Sequence, residues 1–190
     1  MRRLSRILIV VGLLAMSSVV LTHAQPFIAR ILRVCPEGCD FQRIQAAIDA
    51  ASTHDTILVE PGRYLENLVI TKSVILLGLG KAERPIIEAK EAGKPVVFVI
   101  NPSRDEFNLI SLNLQNLIIG GARALATNNP CAESDLCPEG IQIMGAVQAT
   151  LTDLEVRQND CRGIFLLGSI SLSLVRSRIY ENRGTGTFAL

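Results

Sequence analysis

The second half of this chain repeats every 23 residues, and that repeat constrains its fold more than any other feature. Gly140-Ile-Gln-Ile-Met-Gly145 is echoed by Gly163-Ile-Phe-Leu-Leu-Gly168, and one further step reaches Gly186, which opens Gly-Thr-Phe-Ala-Leu190. Asn159 and Asn182 each stand four residues before a repeated glycine, and Val147, Leu151 and Val156 map onto Ile170, Leu174 and Ile179. Several positions agreeing at one offset mark an internal repeat, the signature of stacked architectures. Within each repeat the apolar residues alternate: Ile141 and Ile143; Val147, Ala149 and Leu151; Leu154 and Val156. Period two in short runs broken by Gly, Asn and Asp is strand periodicity, and no helical spacing competes with it. The expected architecture is an all-β solenoid with three short strands per rung. Each strand pairs in parallel with its counterpart one rung away, at about 4.8 Å. Ile141 then lies below Ile164, and Leu151 below Leu174. One rung cannot bury its own inner face, so stacking makes the core.

Asn159 and Asn182 fall at the same corner, where their amides can form a ladder along the axis. Together with Gly140, Gly163 and Gly186 they are assigned a structural role. Glu155 and Arg178 occupy equivalent outward positions, and an exposed pair there is worth only about 0–1 kcal/mol. Upstream, Val96 to Val99, Leu109 to Leu114 and Leu117 to Ile119 read as one rung. Leu68 to Ile70, Val74 to Leu77 and Pro85 to Ile87 read as another. Aligning Leu117 with Leu154 needs 37 residues, so an insertion of 14 falls between Gly120 and Gly140. It carries Cys131 and Cys137 and is expected to project as a loop, a common place for a binding face.

The segment from Phe41 to Ala51 has apolar residues at helical spacing (Phe41, Ile44, Ala47, Ile48, Ala51), with Asp40 as the expected N-cap. This helix is placed to cover the open end of the solenoid. A strand, Thr56 to Val59, and a turn at Pro61-Gly62 follow.

Here the sequence resembles a known group. Ile44-Gln-Ala-Ala-Ile-Asp-Ala-Ala51, Asp55-Thr-Ile-Leu-Val-Glu-Pro-Gly-Arg-Tyr64, Glu66-Asn-Leu-Val-Ile70 and Ser73-Val-Ile-Leu-Leu-Gly78 look like the opening of pectin-lyase-like, right-handed parallel β-helix proteins. The Asn-x-x-x-Gly-Ile-x-Leu pattern of Asn159 to Leu166 is similar to their generic repeat. The resemblance covers almost the whole chain beyond residue 24 and implies a right-handed parallel β-helix with an N-terminal capping helix. It implies no single activity, because the superfamily includes lyases, hydrolases, esterases and proteins with no known chemistry.

The N-terminus reads as a targeting segment. Arg2, Arg3 and Arg6 precede an uncharged run from Ile7 to Leu21, and Thr22-His23-Ala24 supplies a small-residue cleavage site. That order gives residues 1–24 as a secretory signal peptide, 25–64 as the N-terminal cap and 65–190 as rungs, truncated at the C-terminus. The apolar run is short for an uncleaved membrane anchor, which needs about 20 residues. The expected location is secreted or periplasmic, with no membrane association after cleavage. All five cysteines lie beyond the signal: Cys35, Cys39, Cys131, Cys137 and Cys161. Export permits disulfides. Cys35 with Cys39, and Cys131 with Cys137, are candidates for small closed loops, although four cysteines allow three pairings. Cys161 is left over and reads as a buried thiol.

Composition narrows the function. Lys and Arg number 19 against 18 Asp and Glu, a net charge of +1. Loss of the three signal arginines takes it to −2, so there is no basic footprint for nucleic acid. With 48% hydrophobic residues the chain is not disordered, and 4% aromatics with no Trp weaken a sugar-stacking platform, for which Phe165 and Leu167 stay candidates.

Related lyases are expected to use Ca²⁺ held by clustered Asp or Glu with an Arg base, and related hydrolases to use several Asp. The equivalent outward positions here are Gln142, Met144, Phe165 and Leu167, which are neutral or apolar. Asp153 and Glu155, two apart, read as neighbours on one outward strand face, with Arg157 close by. No second carboxylate recurs at the repeat spacing, where Arg176 and Arg183 stand instead of acids.

No catalytic residue, metal site or cofactor is therefore expected, and Ca²⁺ enters only with a lyase. The candidate binding surface is Gln142, Phe165, Asp153, Glu155, Arg157 and Arg178. The leading expectation is a secreted, non-catalytic β-helix domain that presents a surface to extracellular polysaccharide or protein, with the open C-terminal end available to a partner chain. The alternatives are a uronate-polymer lyase or hydrolase whose catalytic rungs lie beyond residue 190, and a purely structural solenoid.

Overall fold

The computed structural model describes residues 29–103, 108–125, 138–184 and 187–189. The expected signal peptide, Cys131, Cys137 and Gly186 lie outside them. The described chain is an all-β, right-handed parallel β-helix with one N-terminal helix.

Strand β1 (Ile31–Val34) is followed by helix α1 (Ile44–Ala50), β2 (Thr56–Val59) and β3 (Arg63–Leu65). Four complete rungs come next. They are β4 (Leu68–Ile70), β5 (Val74–Gly78) and β6 (Ile86–Glu88); then β7 (Val97–Ile100), β8 (Ile110–Gln115) and β9 (Ile118–Gly120). After the insertion come β10 (Ile141–Met144), β11 (Val147–Thr152) and β12 (Glu155–Arg157), then β13 (Ile164–Leu167), β14 (Ile170–Val175) and β15 (Arg178–Tyr180). Strand β16 (Thr187–Ala189) opens the next rung.

Every pairing is parallel, and equivalent strands stack into three sheets. The first sheet runs β1-β2-β5-β8-β11-β14, the second β3-β6-β9-β12-β15 and the third β4-β7-β10-β13-β16. The 23-residue repeat is the register itself: Ile141 pairs with Ile164, Leu151 with Leu174, Val147 with Ile170 and Val156 with Ile179. The upstream offset of 37 is also observed, since Ile118 pairs with Glu155. Inward residues stack in the core, among them Leu76, Leu114 and Leu151, all fully buried. Towards the last rung burial falls off, and Leu174 is 41% exposed.

Two corners are turned by non-glycine residues in left-handed backbone, and Gly145 and Gly168 turn the third with φ of 89° and 119°. Asn116, Asp153 and Arg176 turn the chain from the first sheet to the second with φ of 58°, 55° and 46°. Gln158 and Glu181 turn it from the second to the third with φ of 58° and 54°. The asparagine ladder stands beside this second corner. Asn159 Nδ2 donates to Asn182 Oδ1 at 2.8 Å, and Asn159 Oδ1 accepts from the backbone N–H of Ala122 at 3.0 Å. Asn182 Nδ2 donates to the carbonyl of Val156. Buried amides are thus spent on backbone groups that the bend would otherwise leave unpaired. Gly140 belongs to the same corner: a Cβ there would lie 2.6 Å from Asn159 Nδ2 and 2.5 Å from Val156.

Four expectations are corrected at the N-terminal end and around the cysteines. The helix starts at Ile44, not Phe41, because Phe41 forms a parallel bridge with Val34. Asp40 does not cap it. Its carboxylate accepts from the N–H of Arg33, while the helix N-terminus is capped by Glu66, which accepts from the N–H groups of Ile44 and Gln45 at 2.8 and 3.0 Å. Strand β1, which pairs with β2, precedes the strand that the sequence reading takes as first. Cys35 and Cys39 form the expected disulfide. Cys161 is fully buried but disulfide-bonded, not a thiol, and its partner lies outside the described residues. Among the described residues, no helix is long and apolar enough to cross a membrane.

Candidate functional site

The six surface candidates separate onto three parts of the solenoid. Gln142 and Phe165 share a row on the outward face of the third sheet, paired in register with Phe98 and, beyond it, Val69. Gln142 Nε2 lies 3.5 Å from Met144 Sδ, and the Arg162 guanidinium sits 4.2 Å above the Phe165 ring. Asp153 occupies the corner between the first and second sheets. Glu155, Arg157 and Arg178 stand on the outward face of the second sheet.

Asp153 and Glu155 therefore do not form the solvated pair on one strand that their spacing suggests. The left-handed turn at Asp153 breaks the strand between them. Nor is the Glu155–Arg178 pair an exposed one. Glu155 is only 9% exposed and also accepts from Arg84 Nη2 at 2.5 Å and Tyr180 Oη at 3.0 Å. Burial alone would favour its neutral form, but the hydrogen bonds from Arg178, Tyr180 and Arg84 win and hold its carboxyl down at about 2. Asp153 accepts two bonds from Arg176 at 2.8 and 2.7 Å, and that pairing holds its carboxyl below the usual range. These groups line a corner cleft of about 760 Å³ together with Lys81 and Asn116. Both of its acids are consumed by arginines.

A second groove, of about 540 Å³, opens on the same sheet. Two outward rows build it. One is Arg63–Ile86–Ile118–Glu155–Arg178, and the other is Leu65–Glu88–Gly120–Arg157–Tyr180. At Gly120 the second row has no side chain, which leaves a gap between Glu88 and Arg157. The glycine is required there, because a Cβ would lie 2.2 Å from the Arg157 carbonyl oxygen. The floor is apolar, from Leu65, Ile86 and Ile118, with Leu65 58% exposed. The rim carries Arg63, Arg123 and Arg157 against the single acid Glu88. Arg63 Nε donates to Glu88 at 2.6 Å, and this bond raises the arginine further. Arg123 and Arg157 have no side-chain hydrogen bond or ion pair among the described residues. The groove is thus cationic on one side and apolar beneath.

Of the residues that make this groove, Arg157 is among the surface candidates legible in the sequence, and Arg63, Glu88 and Arg123 are not. These lie in rungs separated by insertions, so no constant spacing connects them. One other group of metal-type side chains converges among the described residues, Cys35, Cys39 and Glu60, but both sulfurs are in the disulfide.

The fold and its faces define a right-handed parallel β-helix protein. No family model and no curated protein sequence matches the chain. Among solved structures it is similar to a pectin methylesterase mutant crystallised in complex with a hexasaccharide, at a TM-score of 0.54 and 18% identity. That match covers 80% of this chain but 56% of the other, so the chain spans little more than half of its structural relative. At this identity the likeness shows the fold alone.

Proposed function

We propose that this chain is an exported β-helix domain that binds an acidic extracellular polysaccharide through the groove on its second sheet, without turning it over. The observation that carries this reading is the pair of unpartnered guanidiniums, Arg123 and Arg157, above an apolar floor. A uronate ring matches both features, since its C–H face can lie on Ile118 and Gly120 while its carboxylate meets Arg157. Guanidinium–carboxylate pairing adds direction as well as charge. The acids nearby are held by arginines, which argues against a paired-carboxylate mechanism within these rungs. The Cys35–Cys39 disulfide supports export, since such bonds persist in oxidising compartments.

The test is retention on immobilised polygalacturonate together with product analysis. Arg123→Gln/Arg157→Gln should weaken retention at least about tenfold, and added salt should weaken it in wild type, since exposed charges are screened beyond about 8 Å at physiological ionic strength. Equal retention by the double variant would remove the groove from the reading. Release of unsaturated or reducing ends, or of methanol from methyl-esterified polymer, would favour an esterase, lyase or hydrolase instead. The similarity to a pectin methylesterase supports that second reading at the level of fold.

A further inference from the structure

Glu88 is the one acid on the rim of the second-sheet groove, and its position makes it a rival of any acidic ligand. It stands in the outward row Leu65–Glu88–Gly120–Arg157–Tyr180, two rung steps before Arg157, or about 9.6 Å along the solenoid axis. Gly120 fills the step between them with no side chain. Gly121 beside it is equally bare, and a Cβ there would lie 3.9 Å from both Cβ and Cγ of Glu88. The glutamate therefore borders an empty lane that leads to Arg157.

The same sheet shows that an acid and an arginine close a span of this kind. Arg84 stands two residues before β6, and Glu155 opens β12, two rungs further on. Arg84 Nη2 nevertheless reaches Glu155 Oε1 at 2.5 Å, past Ile118 of the rung between. Glu155 is fully engaged, by Arg84, Arg178 and Tyr180. Glu88 is thus the acid on this face with the freedom to turn towards Arg157.

Glu88 is held the other way. Arg63 on β3, one rung earlier, donates from Nε to Glu88 Oε2 at 2.6 Å and draws the carboxylate away from Arg157. The Arg63 side chain is 69% exposed and that of Glu88 26%. A pair this open is weak, so pairings of similar strength compete with it. Without Arg63, the other guanidiniums of the groove are Arg157 and Arg123, which have no side-chain partner among the described residues. We infer that Arg63 is a positioning residue: by tying Glu88 back, it keeps Arg157 and Arg123 unpaired and the groove open to an acidic ligand. Each molecule in which Glu88 closes on Arg157 is lost to binding, and the apparent affinity falls with the fraction left open. That consequence rests on the acidic-ligand reading of the groove; the tie itself does not.

The test is a cycle of Arg63→Gln, Glu88→Gln and the double variant, with two readouts. In the first, no ligand is present, and modification of Arg157 by phenylglyoxal is followed by peptide mass spectrometry. Arg63→Gln should slow that modification about twofold to fivefold, the range an exposed ion pair supports, and the double variant should restore it. In the second, on immobilised polygalacturonate, Arg63→Gln should weaken retention by a similar factor. Glu88→Gln should hold retention at or above wild type, and adding Arg63→Gln to it should cost nothing further. Arg63 gives Glu88 one hydrogen bond and not a fork, so Arg63→Lys should bind as wild type does. A cation that merely adds charge to the rim would weaken retention equally in both backgrounds and leave the Arg157 reactivity unmoved; either result overturns the inference. Failure of wild type to be retained, with the reactivity pattern intact, would instead refute the acidic-ligand reading and leave the tie standing.

Discussion

Glu66 is the residue on which the N-terminal cap depends. It sits 22 residues beyond the helix start, and its side chain is 6% exposed. Its two oxygens accept from the N–H groups of Ile44 and Gln45 at 2.8 and 3.0 Å, and Arg43 approaches at 3.8 Å. Glu66→Ala orphans two donors at the start of a helix whose Ile44, Ala47 and Ile48 close the core. A hydrogen bond to a charged group is worth about 1.5–3 kcal/mol, and burial keeps water from replacing it fully. The low end for two bonds gives about 3 kcal/mol, which in a domain of this size lowers Tm by roughly 6–12 °C. Asp40→Ala removes one exposed bond of 3.2 Å and should cost no more than about 1 kcal/mol. Thermal melts of both variants, with hydrogen exchange at Ile44 and Gln45, make the comparison. Protection at those two amides should collapse in Glu66→Ala and persist in Asp40→Ala. If Asp40→Ala melts as low as Glu66→Ala, the cap is local and the reasoning fails.

Two further outcomes follow from the second sheet. The Glu155 carboxyl is depressed to about 2, against about 4.3 in an unfolded chain. Its stabilisation is therefore full above pH ~4.3 and is lost as pH falls towards 2. Glu155→Gln should cost about 2 kcal/mol near neutrality, between the exposed and buried ion-pair ranges, and should converge with wild type at the acid end of a pH series of melts. A constant gap across pH would refute it. Gly120→Ala places a Cβ 2.2 Å from the Arg157 carbonyl and should destabilise by about 1–3 kcal/mol while weakening polygalacturonate retention; a wild-type melting temperature would show that β12 yields freely.

What was legible in the sequence follows the repeat. From Ile141 onward no insertion interrupts the rungs, so the offset of 23 gives strands, register and the Asn159–Asn182 ladder directly. Upstream the rungs are interrupted, and legibility fades. Glu88, Gly120 and Arg157 are register partners, yet 32 and 37 residues separate them in sequence. Arg84 reaches Glu155 across 71 residues, and no local pattern encodes that contact. The Asp40 expectation failed for the same reason: a capping motif read from neighbours competes with a tertiary carboxylate, and the buried tertiary one prevails. Strand β1 was missed because four residues that precede the repeat carry no periodic signal.

The same arithmetic changes the meaning of the missing carboxylates. Arginines at the positions 23 beyond Asp153 and Asp160 read, in sequence, as the absence of a second acid. In the structure they are partners: Asp153 with Arg176, and Asp160 with Arg183. Glu139 with Arg162 and Glu155 with Arg178 follow the same rule. In the β10–β12 rung, each of these four acids is met by an arginine of the next rung. Arg157 breaks the scheme, since the register position beneath it in the preceding rung is Gly120, which offers no side chain at all. Charge between these two rungs is thus balanced locally, pair by pair, and Arg157, the cation left over on this sheet, stands above a gap in the rung where an acid would otherwise be. An acidic ligand seated there would complete the ladder from outside, and this is the physical reason to look for binding at Arg157 before looking for catalysis at Asp153 or Glu155.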